Sequence, residues 1–367
     1  MGICNIPKIR VGNLEFYFIQ GGMGVGISMA SLASAVANEG GAGIIASVGL
    51  GALKGLIKVP IGHPDYKKEY IEYNKIALAE EIRESRRRTN GVVGVNIMHA
   101  LSDYSELVKT AVEENVDMII SGAGIPKDLP SYIEGKDIKL IPIVSSGRLA
   151  EMMIRAWGRY NHLPDAIIVE GPKAGGHLGY DYGQLDDKDF VENGLERIVR
   201  DVVAAVKQSG KEIPVIAAGG IFYGGDIARA LSWGARGVQM ATRFVTTDEC
   251  DASPGFKNEY LRARKEDIAI IKSPVGMPGR AIVNPFLSAL MRGERPDIKC
   301  GYKCLKTCEM KEAQYCIADA LVEAQRGEFR RGYAFCGSNA YLCNEIIPVA
   351  RLVRDLDREF QDGEVSS

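Results

Sequence analysis

The stretch Ile213–Phe244, "IPVIAAGGIFYGGDIARALSWGARGVQMATRF", decides the fold. It opens with a short apolar run, IPVIAAGG (213–220), that ends in two glycines. A helix-patterned segment, GDIARALSWGA, follows, and then a second apolar run, GVQMATRF (237–244). Neither run alternates with polar residues, as expected of strands buried on both faces. Strand, helix and strand in succession make a parallel βαβ unit.

Working outward, the same design recurs. Apolar runs ending in Gly or small polar residues occur at 16–22 (FYFIQGG), 42–49 (AGIIASVG), 92–98 (VVGVNIM), 117–124 (DMIISGAG), 140–147 (LIPIVSSG) and 166–171 (AIIVEG). With the opening pair they number eight. Helical patterns fill the gaps: SMASLASAVANEGG, with Ser28 as its N-cap and Gly40 or Gly41 as its stop, then LSDYSELVKTAVEENV and GRLAEMMIRAWGRY. Eight such units predict an α/β fold, a closed (β/α)₈ TIM barrel rather than an open doubly wound sheet. Three long gaps, 50–91, 172–212 and about 246–330, leave from C-terminal strand ends, where barrel active sites are built. The expected organisation is a barrel over 1–245 and a helical, Cys-rich, substrate-binding lid inserted after strand eight over 246–330. Residues 331–367 then return to the barrel as a C-terminal helix, with DREFQDGEVSS as a frayed tail.

Composition narrows the function. The 367 residues are 46% hydrophobic and 25% charged, ordinary for a globular protein, and the formal net charge is −2. Bulk electrostatics therefore gives no reason to expect nucleic acid or an anionic membrane as partner. MGICNIPKIR lacks the apolar core of a signal peptide, and no apolar stretch is long enough to span a bilayer. A cytoplasmic protein with a small-molecule substrate is expected, and a homodimer is the expected assembly.

The chemistry should sit at the strand ends. Gly219 and Gly220 end strand seven before a helix start, and Ala241 and Thr242 end strand eight. Bare glycine backbone, a helix N-terminus and a hydroxyl suit a phosphate, and paired loops after strands seven and eight are the common barrel phosphate site. The competing reading is that these glycines only make tight turns. QGGMGVG (20–26) ends strand one, where Gly22 would let the backbone approach a flat ring and Met23 could pack on it. Asn96 puts an amide at the end of strand three that must find a partner or a ligand. His177, behind Gly175 and Gly176 at the exit of strand six, is the foremost candidate for proton transfer.

Together, IQGGMGVGIS, VEGPKAGGHLG, IPVIAAGGI and GVQMATRFVTTDE resemble, in order, the nitronate monooxygenase family, once called 2-nitropropane dioxygenases. That family includes the type II flavin-dependent enoyl-acyl-carrier-protein reductases. The resemblance covers about residues 10–290 and, weakly, the CGSNAY return. It implies FMN across the barrel mouth, with Gly22 and Met23 against the isoalloxazine and Asn96 touching the ring. It implies Glu170 toward the ribityl side, Gly219, Gly220, Ala241 and Thr242 on the phosphate, and His177 as base in nitronate oxidation. In the enoyl-reductase version NAD(P)H supplies the electrons. LIPIVSS lacks the lysine that some nitronate monooxygenases carry at the end of strand five, a point of likeness to the enoyl reductases.

The segment CGYKCLKTCEMKEAQYC fits neither subfamily. Cys300, Cys304 and Cys308 recur every four residues, and in a straight helix they would span about 12 Å, too far for one metal. Non-helical backbone, which Pro296 and Gly301 permit, would let them join Cys316 around an iron–sulfur cluster or zinc. The alternative is small apolar thiols packing a lid. The rivals to a flavin oxidoreductase are a non-catalytic flavin or metal redox module and a phosphate-binding aldolase, for which Lys173 is the nearest candidate lysine.

Overall fold

The computed structural model describes residues 4–363. Its central sheet has eight parallel strands: β1 Ile19–Gln20, β2 Gly43–Ala46, β3 Val93–Met98, β4 Met118–Gly122, β5 Lys139–Val144, β6 Ile167–Glu170, β7 Val215–Ala218 and β8 Gly237–Met240. Each falls within one of the runs read from the sequence, or within a residue of its start. The sheet closes on itself. β8 pairs with β1, and a parallel bridge from Ile19 to Ala42 joins β1 to the start of β2. Seven helices clothe the outside: α1 Ala30–Asn38, α2 Tyr66–Arg88, α3 Tyr104–Glu113, α4 Gly147–Gly158, α5 Lys188–Gln208, α6 Gly224–Ser232 and α7 Val349–Asp362. A short 3₁₀ turn, Leu129–Tyr132, stands where a helix would follow β4.

The strands read as continuous apolar runs because both faces are buried. Ile44, Met118, Ile120, Ile141, Ile168 and Ile216 fill the barrel interior. Their neighbours Ile45, Ile119, Leu140, Ile167, Val169 and Val215 pack outward on the helices. An antiparallel hairpin, Ile9–Val11 with Leu14–Phe16, plugs the N-terminal end, and Ile9, Val11 and Phe16 join the interior cluster. The open end is therefore the C-terminal one.

Helix α1 is capped differently from the expectation. Its N-cap residue is Met29, and Ser28 Oγ instead accepts the Met23 N–H at 2.9 Å. Two carboxylates from elsewhere take the capping role. Asp251 accepts from Met29 N at 2.7 Å and Leu32 N at 3.2 Å, and Glu81 accepts from Ala30 N at 2.8 Å. The DREFQD stretch is also helical rather than frayed, since α7 runs to Asp362. The rest of that tail beyond Gly363 lies outside the described residues.

The lid is not wholly helical. Helices Pro254–Arg262, Pro285–Met291 and Ile317–Gln325 accompany a β-hairpin, Ile268–Lys272 with Pro278–Ile282. Isoleucine-rich IAIIK and a turn closed by Gly276 N–H to Ser273 O at 3.1 Å explain the hairpin. Its second strand also pairs with Gly176–His177.

Helix α7 closes the molecule against α6. Glu359 accepts from Arg243 Nη1 at 2.8 Å and from Gly224 N at 2.9 Å; its side chain is buried, and that of Arg243 is largely so, 14% exposed. A Cβ on Gly224 would collide with the Leu356 carbonyl, so the helices meet backbone to backbone. Glu359→Ala leaves the largely buried Arg243 charge with only the Phe222 carbonyl, and is expected to cost about 3 kcal/mol in urea unfolding.

Candidate active site

Along β3, β6 and β8 the inward positions run Gly94–Asn96, Ile168–Glu170 and Gly237–Gln239. The inward face thus turns polar in its last layer, at the open end. Above it lies a cavity of about 1110 Å³ that reaches under the lid. The predicted residues Gly22, Met23, Asn96, Glu170, Gly175, Gly176, His177, Gly219, Gly220, Ala241 and Thr242 all line it.

The glycines make its floor. A Cβ on Gly22 would collide with Asn96, and one on Gly24 with Val48, so only glycine lets this segment cross so close to β2 and β3. Met23 is held in a tight turn, its carbonyl accepting from Ile27 N at 3.2 Å and Ser28 N at 3.0 Å. Gly219 and Gly220 have φ of +91° and +89°, a region that side chains disfavour.

The helix after this loop has N–H groups at its start engaged by carboxylates of the protein. The first N–H of α6, at Gly224, is taken by Glu359, and the Asp226 carboxylate accepts from Phe222 N at 3.0 Å and Tyr223 N at 2.9 Å. The cradle is built instead from loops, and one wall was not foreseen. Residues 336–339 return from the lid against it: Ser338 N donates to Lys173 O at 3.1 Å, and Asn339 Nδ2 to Gly220 O at 2.8 Å. A Cβ on Gly337 would stand 2.6 Å from Thr242 Oγ1.

His177 sits in strand register with Gly279 of the lid hairpin. Its Nε2 lies 2.7 Å from Ser273 Oγ, and its ring meets Phe335 edge-on with centroids 5.0 Å apart. Nδ1 has no protein partner among the described residues. Burial lowers its pKa to about 4, so the imidazole is neutral at physiological pH. Arg280, the next residue of that strand, is buried and holds the turn before His177 through Pro172 O at 2.7 Å and Ala174 O at 2.6 Å.

Sequence reasoning missed Ser273 and Gln239. Gln239 carries a signal that could have found it, a lone amide inside an apolar strand, as at Asn96. Its Oε1 is buried without a hydrogen-bond partner beside Gly21. A buried acceptor aimed at a cavity with a glycine floor fits a flat ligand that carries an N–H.

The Cys-rich segment was expected either to share a metal or to pack as a wall. Residues 292–316 are non-helical, as a shared site requires, and Cys300, Cys304 and Cys316 line the cavity. Among the described residues no group of three or more His, Cys, Asp or Glu side chains is arranged to hold a metal ion, so nothing bears out the metal site expected at Cys300, Cys304, Cys308 and Cys316. Backbone pairing holds the segment against the barrel: Cys304 O accepts from Ser102 N at 2.9 Å, and Leu305 bridges to Leu101. Burial pushes the Cys304 thiol up to about 12, and the neighbouring Cys316, Cys300 and Cys308 act in the same direction. Among the described residues no helix is long and apolar enough to cross a membrane.

Glu170 is pushed up to about 7 by burial. Its protonated form is thus the one folding favours. Below the ordinary value of 4.5 the group is neutral in both states, and as pH rises toward 7 the unfolded chain ionises first and stability falls. Glu170→Gln is expected to exceed the parent by up to about 3 kcal/mol at pH 8 and to differ little at pH 4, in urea unfolding at the two pH values.

Comparison with known proteins follows the same line. The family model described as nitronate monooxygenase matches residues 6–359. A Mycobacterium tuberculosis protein named (3aS,4S,5R,7aS)-5-hydroxy-7a-methyl-1-oxo-octahydro-1H-indene-4-carboxyl-CoA dehydrogenase is 29% identical over 79% of this chain and 69% of its own length. The dehydrogenase of that name from Rhodococcus jostii is 28% identical over 74% and 64%, so this chain spans about two thirds of these relatives. A probable nitronate monooxygenase from Staphylococcus haemolyticus is 26% identical over 77% of this chain and 79% of that one. FabK from Thermotoga maritima superposes with a TM-score of 0.70 at 28% identity, over 95% of this chain and 94% of that chain. With a closed barrel, a glycine-floored cavity and a family match across almost its whole length, the chain is an oxidoreductase that belongs to the nitronate monooxygenase family.

Proposed function

We propose that this chain is an FMN-dependent oxidoreductase acting next to the carbonyl of an acyl thioester. The observation that carries the substrate reading is the cavity. Its volume of about 1110 Å³ exceeds what one drug-sized ligand fills, roughly 300–1,000 Å³, so it has room for a cofactor and an extended substrate. Its far rim carries more cations than acids, Arg295, Lys299, Arg326, Arg330 and Arg331 against Glu294, Asp297 and Asp319. Arg330 has no ion pair among the described residues, and Arg295 donates only to the Leu290 and Glu294 carbonyls. Such a rim suits the phosphates of a coenzyme A or carrier-protein handle. The dehydrogenase relatives are named for a carboxyl-CoA substrate, which agrees.

The residues fit FMN. The glycine floor at Gly22 and the Asn96 and Gln239 amides would hold the ring, and the Gly219–Gly220 and Ala241–Thr242 loops the phosphate. FMN bound there would supply reversible two-electron transfer, with a nicotinamide as the expected electron donor. The protein supplies proton control. His177, neutral and held by Ser273, would take or return the proton at the carbon next to the carbonyl. The lid hairpin and Phe335 pack against that ring on one side.

Nitronate oxidation is the second reading, favoured by the same neutral imidazole, which could remove the α-proton of a nitroalkane. Following flavin absorbance anaerobically separates the two. Bleaching by NADH or NADPH and recovery of colour on adding an enoyl-CoA is the expected result. Flavin that stays oxidised with both nicotinamides but bleaches with an alkyl nitronate would overturn the thioester reading. Protein with no flavin and no affinity for it would overturn both.

His177→Ala is expected to keep its flavin and to slow turnover by at least about a hundredfold. In the Glu170→Gln background, which removes the carboxyl that titrates near 7 in the same cavity, kcat/KM should stay level from neutral pH downward and fall only as the imidazole protonates near pH 4. A limb near the ordinary value of 6.5 would contradict the buried assignment.

A further inference from the structure

The turn after β6 carries a lysine with no role so far. Among the described residues, Lys173 is the one cation that the barrel's strand ends put on the cavity wall; the others there, Arg295, Lys299, Arg326, Arg330 and Arg331, come from the far side of the lid. Its stem lies on the glycine loop. A Cβ on Gly220 would stand 2.9 Å from Lys173 Cβ and 3.1 Å from its Cδ. Its carbonyl accepts the Ser338 N–H at 3.1 Å. Lys173 is thus wedged between two walls of the cradle, while its ammonium pairs with Glu192, an exposed residue of α5.

The cradle is otherwise neutral. It offers backbone N–H groups and the hydroxyl of Thr242. Arg243, beside it in sequence, is committed to Glu359 at 2.8 Å and to Phe222 O at 3.2 Å. A phosphate monoester carries close to two negative charges at neutral pH. Neutral donors alone leave such a charge poorly compensated in a half-enclosed site. The pair with Glu192 faces solvent on the carboxylate side and contributes little, so giving it up costs little.

We propose that Lys173 is the cation of the phosphate cradle: its ammonium leaves Glu192 for the cofactor phosphate and makes the site prefer FMN over riboflavin. The proposal rests on the flavin reading above.

The test uses the full chain freed of flavin by dialysis, titrated separately with FMN and riboflavin while flavin fluorescence is followed. The parent should bind FMN much more tightly than riboflavin, and the gap should narrow as salt is raised. Lys173→Gln should cut the FMN-to-riboflavin preference by about tenfold or more while leaving riboflavin affinity in place. Lys173→Arg should keep most of the preference, and Glu192→Gln should strengthen FMN binding. An FMN preference that survives Lys173→Gln undiminished overturns the proposal alone. Equal loss of both ligands in that variant overturns it too, by giving Lys173 a structural role. A parent that binds both flavins equally overturns the phosphate assignment, and one that binds neither overturns the flavin reading, the proposal falling with each.

Discussion

Two backbone pairings, Gly279 with His177 and Arg280 with Gly176, join the lid to the barrel, and the site depends on them. His177 lies in strand register with a lid strand, so its imidazole is placed by a sheet rather than by a loose loop. The same hairpin carries Ser273 at its turn, which fixes the ring through Nε2. The same strand carries Arg280, which ties the preceding turn through two carbonyls. Small residues make this closeness possible. A Cβ on Gly279 would stand 2.8 Å from the Phe335 ring, and one on Gly175 2.6 Å from the Cys336 backbone.

Burial does the electrostatic work at the open end of the barrel. The same desolvation raises Glu170 and lowers His177, so both groups favour their neutral forms. The deep part of the cavity therefore carries less fixed charge than its rim, where side chains of both signs gather. A proton-transfer group kept neutral near physiological pH is ready to act as a base without first losing a proton.

The Cys-rich segment is held by tertiary pairing rather than by its own spacing. Hydrogen bonds to residues 100–102 keep its non-helical backbone along the cavity edge. Cys304, buried there, contributes to that wall much as a small apolar side chain would.

The barrel, and which residues line its cavity, were largely legible in the sequence. Strands buried on both faces must be continuous in apolar residues, and eight of them alternating with helices leave few alternatives to closure. Glycines at strand ends, Asn96 and His177 stood out because such residues break an apolar pattern where barrel sites form, whereas Glu170 came only from the family resemblance. Contacts between distant segments were not legible. Ser28 looked like the cap of α1, but Asp251 and Glu81 supply it from 222 and 51 residues away from the donors they meet. The 336–339 wall, the Ser273 bond to His177 and the position of Lys173 over Gly220 also arise only when the lid folds back. Local pattern determines which segments become strand and helix, because burial and periodicity act over a few residues. Which side chains then meet across the barrel mouth was decided by the tertiary structure, because those contacts exist only once sheet closure and lid pairing bring far-separated segments together.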